Sequence, residues 1–83
     1  MKNLYVGNLA FSTTEHELRA LFETHGVVER VSIVTDQQTG RPRGFAFVEM
    51  SNPGEADLAS TALTGTNLGG RMLKVNAAKD KSQ

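Results

Sequence analysis

The chain has 83 residues, enough for one domain with a thin core. It contains no cysteine, which excludes a disulfide framework, thiolate metal sites and thiol nucleophiles. Nine Lys and Arg balance nine Asp and Glu, so no net charge draws a polyanion in bulk.

No apolar run approaches the roughly 18 residues of a membrane span. Met1-Lys2 leads at once into a polar residue and a short strand-like run, so no secretory leader is expected. These features point to a free-standing cytoplasmic protein. The charges are unevenly placed. The two helical segments described below carry Glu15, Glu17, Glu23, Glu55 and Asp57 against Arg19 alone. From residue 41 onward stand Arg41, Arg43, Arg71, Lys74, Lys79 and Lys81, opposed outside the helix only by Glu49 and Asp80. A neutral total is therefore expected to split into one acidic side and one basic side.

Asn3 to Gly7 alternates, with Leu4 and Val6 on one face and Tyr5 on the other, which predicts a short strand stopped at Gly7-Asn8. Ala10 to Thr13 reads as a loop with Phe11 folded beneath it. Thr14 with Glu17 three residues later is a capping box that opens a helix. Leu18, Leu21 and Phe22 form its core stripe, and Gly26 is expected to end it as a C-terminal cap. Val28 to Thr35 is β-branched and alternating, with Val31 and Ile33 inward and Ser32 and Val34 outward. Asp36 to Pro42 is turn chemistry. Arg43 to Met50 reads as the next strand. Ala46, Val48 and Met50 point one way, and Arg43, Phe45, Phe47 and Glu49 the other. Asn52 or Ser51 caps a second helix with Pro53 at its first position, and Ala56, Ala59, Ser60 and Leu63 form its packing stripe. Gly65 and Gly69-Gly70 break the chain. Arg71 to Ala78 is expected to be one continuous last strand, with Leu73 and Val75 inward and Met72, Lys74 and Asn76 outward.

Strand, helix, strand, strand, helix, strand is the split βαβ plan. The expected class is α+β: a ferredoxin-like βαββαβ fold, a four-stranded antiparallel sheet with two helices on one face. The expected domain spans 1–79, followed by a polar tail over 80–83. The second face of such a sheet has no element to cover it.

Arg43-Gly44-Phe45-Ala46-Phe47-Val48-Glu49-Met50 fits seven of the eight positions of the pattern K/R-G-F/Y-G/A-F-V-x-F/Y. The departure, Met50 for an aromatic, falls on the inward face. Leu4 to Leu9 resembles the second signature of the same family, a hexamer on the first strand. The chain thus resembles the RNA recognition motif domains over about residues 2 to 79. GFAFVEM and LKVNAAK look most like the small bacterial members.

The resemblance implies a single-stranded RNA-binding protein without cofactor, acting as a post-transcriptional regulator or RNA chaperone. Tyr5 and Phe45 would stack two successive bases, and Phe47 would wedge against the sugars between them. Arg43 would contact a phosphate and Gly44 would let the backbone approach the ligand. Arg41 would clamp the strand from the side. Hydrogen bonds to base edges would come from Asn3, Ser32, Lys74, Asn76, Ala78 and Lys79. Single-stranded DNA is a related partner, and the expected state is a monomer.

Fold alone does not fix function, so rival functions need weighing. An acylphosphatase-like enzyme would need an arginine in the loop from Asn8 to Thr13, which has no basic residue. A ferredoxin-like metal carrier would need cysteines there. His16 and His25 read as helix-surface residues, not ligands. No catalytic activity is expected. The alternative is a domain of the same plan that binds protein instead, but such domains typically lose or cover the sheet aromatics. One departure remains on the second helix. Ser60 stands where the pattern wants a bulky apolar residue, and Leu58 falls on the solvent side. The helix is then slightly rotated, or Leu58 and Ala62 make a small contact spot for another protein, or the pair is sequence drift.

Overall fold

The computed structural model describes residues 2–78, so Lys79 and the tail lie outside the described residues. The elements are β1 (Lys2–Gly7), α1 (Glu15–Glu23), β2 (Val28–Thr35), β3 (Pro42–Met50), α2 (Pro53–Leu63), β4 (Asn67–Leu68), β5 (Arg71–Met72) and β6 (Lys74–Ala77). The main sheet runs β2-β3-β1-β6, with all pairs antiparallel. β3 and β1 are its central neighbours. This is the expected βαββαβ plan, with one added hairpin.

Alternation builds the core as the sequence predicts. Leu4 and Val6 of β1, Val31 of β2, Ala46, Val48 and Met50 of β3 and Val75 of β6 are buried on one face. The helices cover that face with Leu18 and Phe22 from α1 and Ala56, Ala59 and Leu63 from α2. The capping box at α1 is formed. Thr14 Oγ1 accepts from the Glu17 amide at 3.1 Å, and Glu17 Oε1 accepts from the Thr14 amide at 2.9 Å. Asn52 caps α2 by accepting from the Glu55 amide at 3.1 Å, with Pro53 opening the helix.

Three local expectations are corrected. The first is Gly26, which does not cap α1. Thr24 does so from a right-handed conformation, donating its hydroxyl to Leu21 O at 2.7 Å. Gly26 is small because Glu55 lies against it; a Cβ there would come within 2.3 Å of the Glu55 carboxylate. The second is Phe11, which is not folded under its loop but 75% exposed. Leu9 and Thr13 take the buried positions instead.

The third is the last strand, which is not continuous. Gly69 and Gly70 both adopt positive φ (63° and 87°) and fold Asn67–Leu68 back on Arg71–Met72 as a separate hairpin. Leu73 forms the joint, donating to Thr66 O and accepting from the Gly65 amide, both at 2.8 Å.

Ser60 has a reason to be polar. Its hydroxyl donates to Val75 O at 3.1 Å. Thr64 Oγ1 donates to the same carbonyl and accepts from the Val75 amide, both at 2.9 Å. Ser60 and the α2 C-cap Thr64 thereby satisfy the outward amide and carbonyl of Val75 on the edge strand β6, which would otherwise be free to pair with another chain.

Candidate nucleic-acid interface

The face of the sheet opposite the helices carries the three outward aromatics. Register aligns a row across all four strands: Ser32 opposite Phe47, Phe47 opposite Tyr5, and Tyr5 opposite Asn76. Phe45 stands on the same face of β3, two residues before Phe47. The Tyr5 and Phe45 ring centroids are 5.7 Å apart with planes inclined by 31°. Phe47 meets Tyr5 at 6.0 Å and 66°, and Phe45 at 6.1 Å and 87°. Two rings are therefore neighbours with moderately tilted planes, and the third stands on edge beside both. Tyr5 lies down along β1 because Gly7 has no side chain; a Cβ there would come within 2.7 Å of the phenol ring.

Gly44 has a structural task beyond letting a ligand approach. It adopts φ 89°, and its carbonyl accepts the Leu9 amide at 2.8 Å. That bond ties the loop after β1 to the start of β3. A residue with a Cβ would be strained there.

The polar residues form a rim. Asn3, Arg30, Ser32, Phe47 and Glu49 line a shallow hollow on one side. Arg30 and Asn3 both sit opposite Glu49 in register. Lys74 is exposed opposite Gly7, and Asn76 is exposed beside Tyr5. Ala78 follows β6 and donates its amide to Asn3 O at 2.9 Å, which binds it to the sheet. Lys79 lies outside the described residues.

Arg41 and Arg43 line a cleft with Phe11, Asp36 and Thr39. Asp36 organises that loop. Its carboxylate accepts from the Gln38 amide at 2.8 Å and the Thr39 amide at 3.1 Å. Those two bonds hold its pKa below the ordinary aspartate value, with a smaller pull from the Arg43 charge.

The structure therefore brings Tyr5, Phe45, Phe47, Arg43, Asn3, Ser32, Lys74 and Asn76 onto one open face, with Arg41 at its margin. Among the described residues the ion pairs are Lys2–Asp57 and Arg19–Glu23, both on the helix side. The cations of the open face thus have no carboxylate partner within ion-pair distance in that set. Nor do the described residues hold a cluster of metal-ligating groups, and no helix among them is long and apolar enough to cross a membrane.

Three residues at one end of this face were not singled out from the sequence as site residues: Asn8, Phe11 and Arg71. They line a cleft with Tyr5, Arg43 and Phe45. The Gly69-Gly70 hairpin is the signal that could have placed Arg71 there.

The family model for the RNA recognition motif matches residues 4–74. The candidate RNA-binding protein RbpD of the cyanobacterium Nostoc sp. is 50% identical over 78 residues, covering 94% of this chain and 83% of that protein. Among solved structures, that of the RNA-binding protein PG1 superposes with a TM-score of 0.93 at 38% identity, covering 98% of both chains. The motif domain of Rna15 with bound RNA (GU) superposes with a TM-score of 0.83 at 31% identity, covering 94% of this chain and 83% of that one.

Proposed function

The chain belongs to the RNA recognition motif family, and from that premise we propose that it binds single-stranded RNA on the open sheet face by aromatic stacking and phosphate contacts. The observation that carries this reading is the ring geometry. Tyr5 and Phe45 lie next to each other on an uncovered sheet with their planes inclined by 31°, and Phe47 stands edge-on beside them.

Two successive bases stack on Tyr5 and Phe45, each contributing roughly 1–3 kcal/mol without demanding a particular base. Phe47 packs against the sugars between them. Arg43 holds a phosphate, with Arg41 clamping from the loop before β3. Asn76 and Ser32 flank the rings in register and offer donors and acceptors to base edges, with Asn3, Lys74, Ala78 and Lys79 completing the set. The protein acts by binding, not catalysis, as a cytoplasmic monomer and a regulator or chaperone of transcripts. Stacking needs no 2′-hydroxyl, so single-stranded DNA competes to some degree.

A second reading, contact with another protein through α2, has its own observation. Leu58 is 65% exposed, with Ala62 exposed one turn further on. That contact is compatible with RNA on the opposite face.

The test of the main reading is fluorescence-anisotropy binding of labelled random single-stranded RNA to the wild type and to Phe45→Ala/Phe47→Ala. The wild type binds with an affinity that falls with salt. The double variant, folded by circular dichroism, loses roughly tenfold or more. Equal binding by both proteins sinks the stacking mechanism.

A further inference from the structure

Phe11 is the aromatic that the sheet platform does not use. Exposure alone says little, since single exposed apolar residues are ordinary. Its surroundings say more. Phe11 is the wall shared by two clefts. One, of about 380 Å³, is lined by Tyr5, Phe45, Arg43 and Arg71. The other, of about 530 Å³, is lined by Arg41, Arg43, Asp36 and Thr39. An aromatic face between guanidinium groups suits a base with its phosphate.

Arg71 is held in place there. Its Nε and Nη2 donate to Asn8 Oδ1 at 3.2 and 2.6 Å. Asn8 adopts φ 61°, and its Nδ2 donates to Met72 O at 2.7 Å, which ties the end of β1 to the β4–β5 hairpin. A neutral amide fixes the guanidinium without cancelling its charge. Two of its five N–H donors are used, which leaves three for an anion.

We propose that Phe11, Arg71 and Arg43 form an off-sheet nucleotide site. In it a base beyond the Tyr5–Phe45 platform stacks on Phe11, and the adjoining phosphate is held between Arg71 and Arg43. The site rests on RNA binding by the sheet and lengthens the bound strand by one nucleotide toward the loop between β1 and α1. Asn8 acts as a positioning residue for Arg71.

The test uses oligouridylates and oligoadenylates lengthened one nucleotide at a time at either end. The chain has no tryptophan, so Phe11→Trp supplies a single indole reporter. Its emission should stay constant with the shortest RNA that binds and be quenched when one nucleotide is added at one end. Phe11→Ala should abolish the affinity gain from that nucleotide, roughly tenfold, and leave the shorter RNA unaffected. Arg71→Gln should lower the slope of log affinity against log salt by about 0.7, for the longer RNA only. Suppose Phe45→Ala/Phe47→Ala loses binding while Phe11→Ala follows the wild type at every length and the indole is not quenched. The off-sheet site is then wrong and the sheet reading stands. If the wild type binds no RNA at any length, both fall together.

Discussion

β3 presents two different surfaces from one run of residues. Ala46, Val48 and Met50 are fully buried under the helices, while Phe45 and Phe47 face outward beside Tyr5. The inward set is aliphatic and carries stability. The outward set is aromatic, flanked by Arg43 and Glu49, and contributes little to the core. Larger apolar side chains thus stand on the wetter side, the reverse of what folding alone would select. In a small domain with a thin core, that allocation supports the proposed use of the open face as the binding surface. The division also predicts that the two surfaces can be damaged separately.

The largest expected effect breaks the covered side. Phe22 is fully buried in α1, and Phe22→Ala should cost about 3–5 kcal/mol and leave a domain of this size largely unfolded. RNA binding would be lost with the fold, as chemical denaturation would reveal. A smaller effect tests the edge of the same side. Thr64→Val keeps the shape but strands the Val75 amide, and should cost about 1–3 kcal/mol with RNA affinity of the folded fraction preserved. Thermal melting and anisotropy read the two quantities.

The smallest change in stability should come with a large change in binding. Gly7→Ala places a methyl where the Tyr5 ring lies and must lift that ring off β1. Affinity should fall by roughly tenfold, the worth of about one stacked base, with little movement of the melting temperature. A variant that melts early but binds normally would contradict the assignment of Tyr5 to the platform.

What was legible in the sequence follows the same division. Alternation of period two gave both faces of β1 and β3, because parity within a strand leaves no freedom once one face is buried. The Thr14–Glu17 capping box and the Asn52-Pro53 start were readable from local chemistry. The misreadings lie where parity does not apply. Phe11 was expected inside because it is apolar, but Leu9 and Thr13 fill the space under the loop. Gly69-Gly70 was read as a break when it is a hairpin turn, and the turn is what delivers Arg71 to Asn8. Ser60 looked like a defect in an apolar stripe, yet its hydroxyl meets Val75 across the sheet edge. Gly26 was given a conformational role when the reason was steric contact with Glu55, 29 positions away in the chain. For Ser60 and Gly26 the cause is a contact between segments distant in sequence, which no local pattern encodes.

The central claim is that one face of the sheet binds and the other holds the fold together. Chemical-shift mapping of the protein titrated with single-stranded RNA tests it most directly. The account predicts shifts concentrated at Tyr5, Phe45, Phe47, Ser32 and Asn76, spreading to Arg43, with α1 and α2 unmoved. Shifts centred on Leu58 and Ala62, with the aromatic row unaffected, would contradict it.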